Sequence, residues 1–69
     1  MSDLLQNIGN KIRQERQKRE WLQRDLSVQT GLPVRTIGRI ERGEVDVRIG
    51  TLKKIADALG VAISDLVLS

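Results

Sequence analysis

The residues of this sequence best suited to chemistry are two arginines four positions apart, Arg35 and Arg39. Residues four apart share one face of a helix, and two isoleucines, Ile37 and Ile40, fall on the opposite face. Arginine is the side chain best suited to paired hydrogen bonds with the O6 and N7 atoms of guanine. The same spacing also occurs on solvated basic surfaces. The pattern indicates a helix that buries its isoleucines and presents two guanidinium groups to a nucleic acid.

The composition excludes most catalytic and metal-binding sites. The chain has no cysteine and no histidine, which removes disulfides, the usual zinc ligands and imidazole-assisted nucleophiles. We therefore expect no enzymatic activity, no metal site and no cofactor. Nothing in the sequence indicates a small-molecule substrate.

Charge gives weaker support for a polyanionic partner. The formal net charge is +3, a value that many ordinary domains share. The positive charge is concentrated, because residues 11–42 contain nine basic and four acidic side chains. This central stretch is where a nucleic acid would be bound.

The length and hydropathy of the chain limit the architectures that it can adopt. Its 69 residues suffice for a single domain spanning residues 1–69, with a small core. With one tryptophan and no other aromatic residue, that core must be aliphatic, which is typical of packed helices. No run of about 18 apolar residues could cross a membrane, and the N-terminus lacks the apolar run of a signal peptide. We expect a soluble, cytoplasmic protein.

Hydrophobic periodicity and turn residues predict five short helices. Leu4, Leu5, Ile8 and Ile12 recur at helical spacing and predict a first helix over about residues 3–19. The other helices are predicted at 23–30, from 33 or 34 to about 42, from 48 or 49 to 59, and around 61–66, with a glycine closing each of the middle three. Residues 44–47 are predicted as a connection. The predicted inward residues are Leu4, Leu5, Ile8 and Ile12 in the first helix and Leu26, Ile37, Ile40, Leu52, Ile55, Ala56 and Leu59 in the next three. Val61, Ile63 and Leu66 suggest the final short helix.

The joint between the second and third helices has the features of a helix-turn-helix. Such a unit needs a small residue where the helices touch, a turn residue that can adopt a left-handed conformation, and apolar residues inside the second helix of the pair. Ser27, Gly31, Ile37 and Ile40 meet these needs in order.

With these features in place, the sequence from Ile8 to Leu66 resembles the Cro/repressor-like helix-turn-helix family, also called the xenobiotic-response-element family. The resemblance lies in Ile8-Gly9, Lys11-Ile12-Arg13, Gln23 through Leu26, Thr30-Gly31-Leu32, Thr36-Ile37, Arg39 through Gly43, Thr51-Leu52 and Asp57 through Val61. It implies an all-α, compact five-helix, lambda-repressor-like DNA-binding domain with a central helix-turn-helix. It also implies that the helix from about 34 to 42 lies in the DNA major groove.

The resemblance also implies roles for individual residues. Those facing bases would be Val34, Arg35, Gly38 and Arg39, with Val34 against a thymine methyl group and Gly38 allowing close approach. Those contacting the DNA backbone would be Gln23, Thr36, Arg42 and Arg48. Arg16 and Glu41 would form a structural ion pair between the first and third helices. Lys11, Arg13 and Arg19 would form a general electrostatic face.

Several residues depart from the family pattern. Leu22, Pro33, Arg48 and Ala62 stand where the family usually has a hydroxyl that caps a helix, and each lost cap costs about 0.5–2 kcal/mol if nothing replaces it. Ser27 replaces the usual alanine at the helix crossing, and we expect its hydroxyl to donate to a backbone carbonyl one turn earlier.

The expected partner is double-stranded DNA with a palindromic operator, bound by a homodimer that forms at least on DNA. The protein would regulate transcription, as a repressor, in a bacterium or phage-infected cell, in association with the nucleoid. Val61, Ile63, Val67 and Leu68 would supply the dimer surface, or would instead cover the monomer core. A second hypothesis is a protein-interaction module such as an antitoxin, which would be favoured if Val28, Val34 and Val45 formed one exposed patch.

Overall fold

Five helices make up the fold in the computed structural model, which describes residues 3–67. They are α1 (Asp3–Lys18), α2 (Gln23–Thr30), α3 (Val34–Glu41), α4 (Ile49–Leu59) and α5 (Ile63–Val67). Residues 3–67 contain no strand, and residues 44–47 form the predicted connection. The five predicted helices are therefore confirmed, with ends that agree within two residues.

The core is aliphatic and lies among all five helices. Its buried members are Ile8, Ile12, Leu26, Ile37, Ile40, Leu52, Ile55, Ala56, Leu59 and Leu66. Trp21 is half-buried and packs against this cluster. Leu4 had been grouped with the inner face of α1, but it is 59% exposed. It lies in the first turn, before Ile8 reaches the core, so the helix begins beyond the core's edge.

Gly9 marks the closest approach between α1 and α3. A Cβ atom at this position would lie 2.6 Å from the carbonyl oxygen of Glu41 and would also overlap that of Ile40. Only a residue without a side chain lets α1 cross the C-terminal end of α3 at this separation. The crossing fixes α3 against the longest helix of the domain.

Three helices end in the same way, but with different residues at the left-handed position. Gly43 and Gly60 have φ values of 72° and 73°, while Glu20 adopts φ 58° after α1. At α1 the N–H of Trp21 donates to the carbonyl of Arg16 and the N–H of Glu20 to that of Gln17, which is the Schellman pattern. A side chain at such a position is strained by contact with its own backbone.

At α2 and α5, an aspartate accepts the N–H of the residue where the hydroxyl cap is missing. Asp25 Oδ2 accepts the N–H of Leu22 at 2.7 Å, and Asp65 Oδ2 accepts the N–H of Ala62 at 3.0 Å. Each carboxylate lies three residues into its helix, where it also favours the positive end of the helix dipole. Pro33 and Arg48 have no side-chain cap. The two carboxylates satisfy the N–H of Leu22 and of Ala62, whereas a hydroxyl at those positions would accept an N–H of the first helical turn.

Candidate nucleic-acid interface

Two side chains fix the turn between α2 and α3. Thr30 Oγ1 donates to the carbonyl of Leu26 at 2.8 Å and accepts the N–H of Leu32 at 3.2 Å. Ser27 Oγ donates to the carbonyl of Leu32. The expected bond to a carbonyl one turn earlier was wrong, because the chain reverses at Gly31 (φ 78°) and brings a free carbonyl to the hydroxyl. The turn thus holds α3 at a set angle to α2.

The two faces of α3 differ in polarity as the sequence predicted. Ile37 and Ile40 are buried, whereas Val34, Arg35 and Arg39 are exposed. Neither Arg35 nor Arg39 has an ion-pair partner among the residues that the structure describes. The outer face of α3 therefore presents two uncompensated guanidinium groups.

A buried polar network joins α1, α2 and α3. Arg16 Nε donates to Glu41 Oε2 at 2.7 Å and its Nη2 donates to Oε1 at 2.9 Å, while Nη1 donates to the carbonyl of Trp21 at 2.7 Å. Gln23 Nε2 donates to Glu41 Oε1 at 3.1 Å. One carboxylate thus receives donors from α1 and from the start of α2. The amide of Gln23, a predicted backbone contact, is engaged with Glu41 in this structure.

Gly38 is buried beneath two of the predicted contact residues. A Cβ atom on Gly38 would lie 3.1 Å from Arg42 Nη1 and 3.5 Å from Gln23 Oε1. The missing side chain therefore makes room for protein side chains, a reason for glycine that the sequence did not reveal. Contact between Gly38 and a DNA base stays a prediction. The structure does bring Gln23, Gly38 and Arg42 together.

Arg42 forms a surface ion pair with Glu44. Arg42 Nε lies 2.8 Å from Glu44 Oε2, and Nη2 donates to Oε1 at 3.3 Å. The hydrogen bond with Glu44 raises the pKa of Arg42, and the bond with Arg42, aided by the charge of Arg39, lowers the pKa of Glu44. Glu44 was not among the residues predicted to take part in the site. The only sequence signal for the ion pair is its position two residues after Arg42.

The other two predicted backbone contacts lie on different elements. Thr36 is half-buried in the first turn of α3, and Arg48 is exposed at the residue before α4. Within residues 3–67, Arg48 has no ion-pair partner. No hydrogen bond or ion pair within residues 3–67 joins Arg48 to Gln23, Gly38 or Arg42.

One carboxylate balances only part of the positive charge of the predicted electrostatic face on α1. The carboxylate of Glu15 lies within 3.6 Å of Lys11 and within 3.1 Å of both Lys18 and Arg19. Hydrogen bonds from Lys18 and Arg19 lower the pKa of Glu15. Arg19 Nη2 also donates to the carbonyl of Leu59 at the C-terminal end of α4. Arg19 therefore joins the ends of two helices, and its place in the general electrostatic face stays a prediction.

The apolar residues singled out for partner binding are only partly exposed. Val28 is 73% exposed, but Val45 is half-buried against the core, as are Val61, Ile63 and Val67. Leu68 lies outside the described residues. Within residues 3–67, no helix is long and apolar enough to cross a membrane.

Comparisons with known proteins find helix-turn-helix regulators. A family model described as helix-turn-helix matches residues 12–66. The HTH-type transcriptional regulator SutR of Escherichia coli (strain K12) is 34% identical over 67 residues, which are 97% of this chain and 38% of SutR. The chain thus spans well under half the length of that relative.

Solved structures share the fold. The restriction-modification controller protein C.AhdI from Aeromonas hydrophila superposes with a TM-score of 0.88 at 29% identity, covering 96% of this chain and 98% of C.AhdI. The hypothetical transcription factor NHTF from Neisseria gives a TM-score of 0.90 at 31% identity, covering 94% of this chain and 75% of NHTF. The all-α, five-helix architecture is that of these regulators.

Proposed function

This chain belongs to the helix-turn-helix family HTH_3, and we propose that it binds double-stranded DNA sequence-specifically and so regulates transcription. SutR, similar along 97% of this chain, is a transcriptional regulator by name, and NHTF is described as a hypothetical transcription factor. The family is one of DNA-binding proteins and not of enzymes. By occupying an operator in the bacterial cytoplasm, the protein would repress the adjacent gene.

The observation that carries the proposal is the exposed outer face of α3. A helix of this diameter fits the major groove, and α3 is held from behind by Ile37, Ile40 and Glu41, so its outer face is free to enter. Arg35 and Arg39 each pair with a guanine, one helical turn apart. Val34, in the first turn, contacts a thymine methyl group, and Gly38 lies beside these positions.

Contacts with the DNA backbone set the register of α3. Gln23 lies at the N-terminal end of α2, where backbone N–H groups and the helix dipole favour a phosphate. Arg42, Thr36 and Arg48 contact further phosphates. These contacts supply affinity without sequence information.

A homodimer places two copies of α3 on a palindromic operator, with half-sites about 10 base pairs apart. A single domain spanning residues 1–69 offers too small a contact area for strong specificity alone. The dimer surface includes Val61, Ile63, Val67 and Leu68. The half-buried state of the first three leaves apolar surface for such an interface.

Selection of bound sequences from random duplex DNA tests the proposal. We expect enrichment of a palindrome whose half-sites contain guanine at the positions facing α3. Recovery of a single half-site without a symmetric copy would contradict the proposed dimer but not sequence-specific binding. Recovery of unenriched sequences would contradict sequence-specific binding and favour a protein-interaction module.

A further inference from the structure

Glu44 lies where its charge opposes DNA. It follows α3 by three residues, and its backbone N–H donates to the carbonyl of Arg39 at 3.0 Å. The side chain is 48% exposed, and its described polar contacts are those with Arg42. A carboxylate at this surface repels the phosphates that Gln23 and Arg42 are proposed to contact.

Arg42 is held by this carboxylate on the side of α3 that faces α2. Nη1 lies over Gly38, close to the Gln23 amide, while Nε and Nη2 donate to Glu44. A phosphate that approaches Arg42 must therefore compete with Glu44 for the Nε and Nη2 donors. The competition is realistic because the Arg42 side chain is 57% exposed and the ion pair is screened by water.

The charge of Glu44 also acts on Arg39, a proposed base contact. Arg39 contributes to the lowered pKa of Glu44, as Arg42 does more strongly. A single carboxylate thus reduces the positive potential around both arginines. No packing role explains an acidic residue here, because its side chain lies at the surface.

We propose that Glu44 is an affinity-setting residue that withholds Arg42 from the DNA backbone and thereby weakens binding to all DNA sequences. This inference rests on the proposed DNA-binding function. Because phosphate contacts carry no sequence information, Glu44 lowers the affinity for an operator and for unrelated DNA by the same factor. It sets how tightly the protein holds DNA and not which sequence it prefers.

The test measures binding of the unchanged protein and of Glu44→Gln to the selected operator and to a scrambled duplex, over a range of salt concentrations. We expect Glu44→Gln to bind both duplexes about 2- to 5-fold more tightly near 0.1 M salt. The slope of log affinity against log salt concentration should steepen by about one unit, because one more phosphate is neutralised.

Asp57→Asn is the matched control. Asp57 forms an exposed ion pair with Lys53 on α4, at 2.7 Å, and its loss raises the net charge by the same amount. We expect Asp57→Asn to change affinity less than Glu44→Gln. The gain from Glu44→Gln should also shrink when it is combined with Arg42→Ala, because no guanidinium is then released and only the direct effect of the Glu44 charge remains.

Three results would overturn the inference: unchanged or weaker binding by Glu44→Gln, an equal gain from Asp57→Asn, or an undiminished gain without Arg42. Weaker binding would mean that Glu44 orients Arg42 toward the phosphate. Failure of the unchanged protein to bind either duplex would overturn the proposed function and this inference with it. The two failures are therefore distinguishable.

Discussion

At the scale of single residues, we propose that the side chains on the outer face of α3 determine which bases are read. Arg35 and Arg39 are chemically alike, but they lie one turn apart and would address different base pairs. Both are free of ion pairs within residues 3–67, whereas Arg42 is not. This difference distinguishes the two arginines proposed to read bases from Arg42, a proposed phosphate contact.

Arg39→Ala should relax discrimination at one base pair. We expect a loss of about 1–3 kcal/mol on the best operator, and much less on an operator whose paired guanine has been replaced. The measurement is the affinity for operators carrying each of the four bases at each position. Arg13→Ala, which removes an exposed arginine from α1, is the control and should leave every base preference unchanged. An equal loss on all sequences would contradict base reading by Arg39.

Glu20→Gly should stabilise the domain. Glu20 adopts φ 58°, and a left-handed backbone costs a residue with a side chain about 1 kcal/mol relative to glycine. Chemical unfolding followed by Trp21 fluorescence would show the gain. Glu20→Gln removes the charge but keeps the strain, and it should change stability little. If the two variants were equally stable, strain at Glu20 would not be the cause.

At the scale of elements, α3 is positioned by its contacts with α1 and α2. The turn at Gly31 sets its start, the crossing at Gly9 sets its end, and the Arg16–Glu41 pair locks it between them. These contacts do not involve the side chains proposed to face bases, although Glu41 also accepts a hydrogen bond from Gln23, a proposed backbone contact. Their loss should therefore lower stability more than it changes sequence preference.

Removing either member of the Arg16–Glu41 pair should be strongly destabilising. Arg16→Ala and Glu41→Ala each leave a buried charge without its partner, which costs about 3–5 kcal/mol, a large share of the stability of a small domain. Thermal unfolding by circular dichroism measures the effect. Lys53→Ala breaks an exposed pair and should lower the melting temperature little. Equal melting temperatures for all three variants would refute a structural role for the buried pair.

Gly9→Ala and Gly50→Ala should have opposite effects. A Cβ on Gly9 meets backbone atoms of Glu41 at 2.6 Å, whereas one on Gly50 meets nothing within 4 Å. Both glycines lie in helices, where alanine is otherwise favoured by up to about 1 kcal/mol. We expect Gly50→Ala to raise the unfolding midpoint and Gly9→Ala to lower it. Stabilisation by both substitutions would show that α1 and α3 are not held as closely as described.

The sequence predicted the elements well because local signals define them. Glycines at 31, 43 and 60 and apolar residues at helical spacing placed the helices within two residues of their observed ends. Ser27 and Leu4 were placed wrongly because their surroundings depend on the tertiary fold. A sequence pattern does not show that the turn returns a carbonyl to Ser27, or that the core begins one turn after Leu4.

At the scale of the whole molecule, the proposed interface also has some features that the sequence predicted and others that depend on the tertiary fold. The resemblance to a helix-turn-helix family predicted that the outer face of α3 lies toward DNA, and the helical spacing of Arg35 and Arg39 agreed with that prediction. The burial of Gly38, the pairing of Arg42 with Glu44 and the engagement of Arg19 with α4 emerged only from the assembled helices. The number of basic residues in the sequence is therefore larger than the number of positive charges available to DNA. Half of the twelve basic residues lie within 4 Å of a carboxylate in the described residues.

We propose that α3 reads guanines in the major groove. Replacing single operator guanines with 7-deazaguanine is the most direct test of this base reading. The substitution removes the N7 acceptor from the major groove and leaves base pairing and the minor-groove edge in place. Affinity should fall by about 1 kcal/mol or more at the guanines facing Arg35 and Arg39, and Arg39→Ala should be insensitive at its own guanine. Unchanged affinity after substitution of every guanine in turn would contradict the reading of guanines by α3.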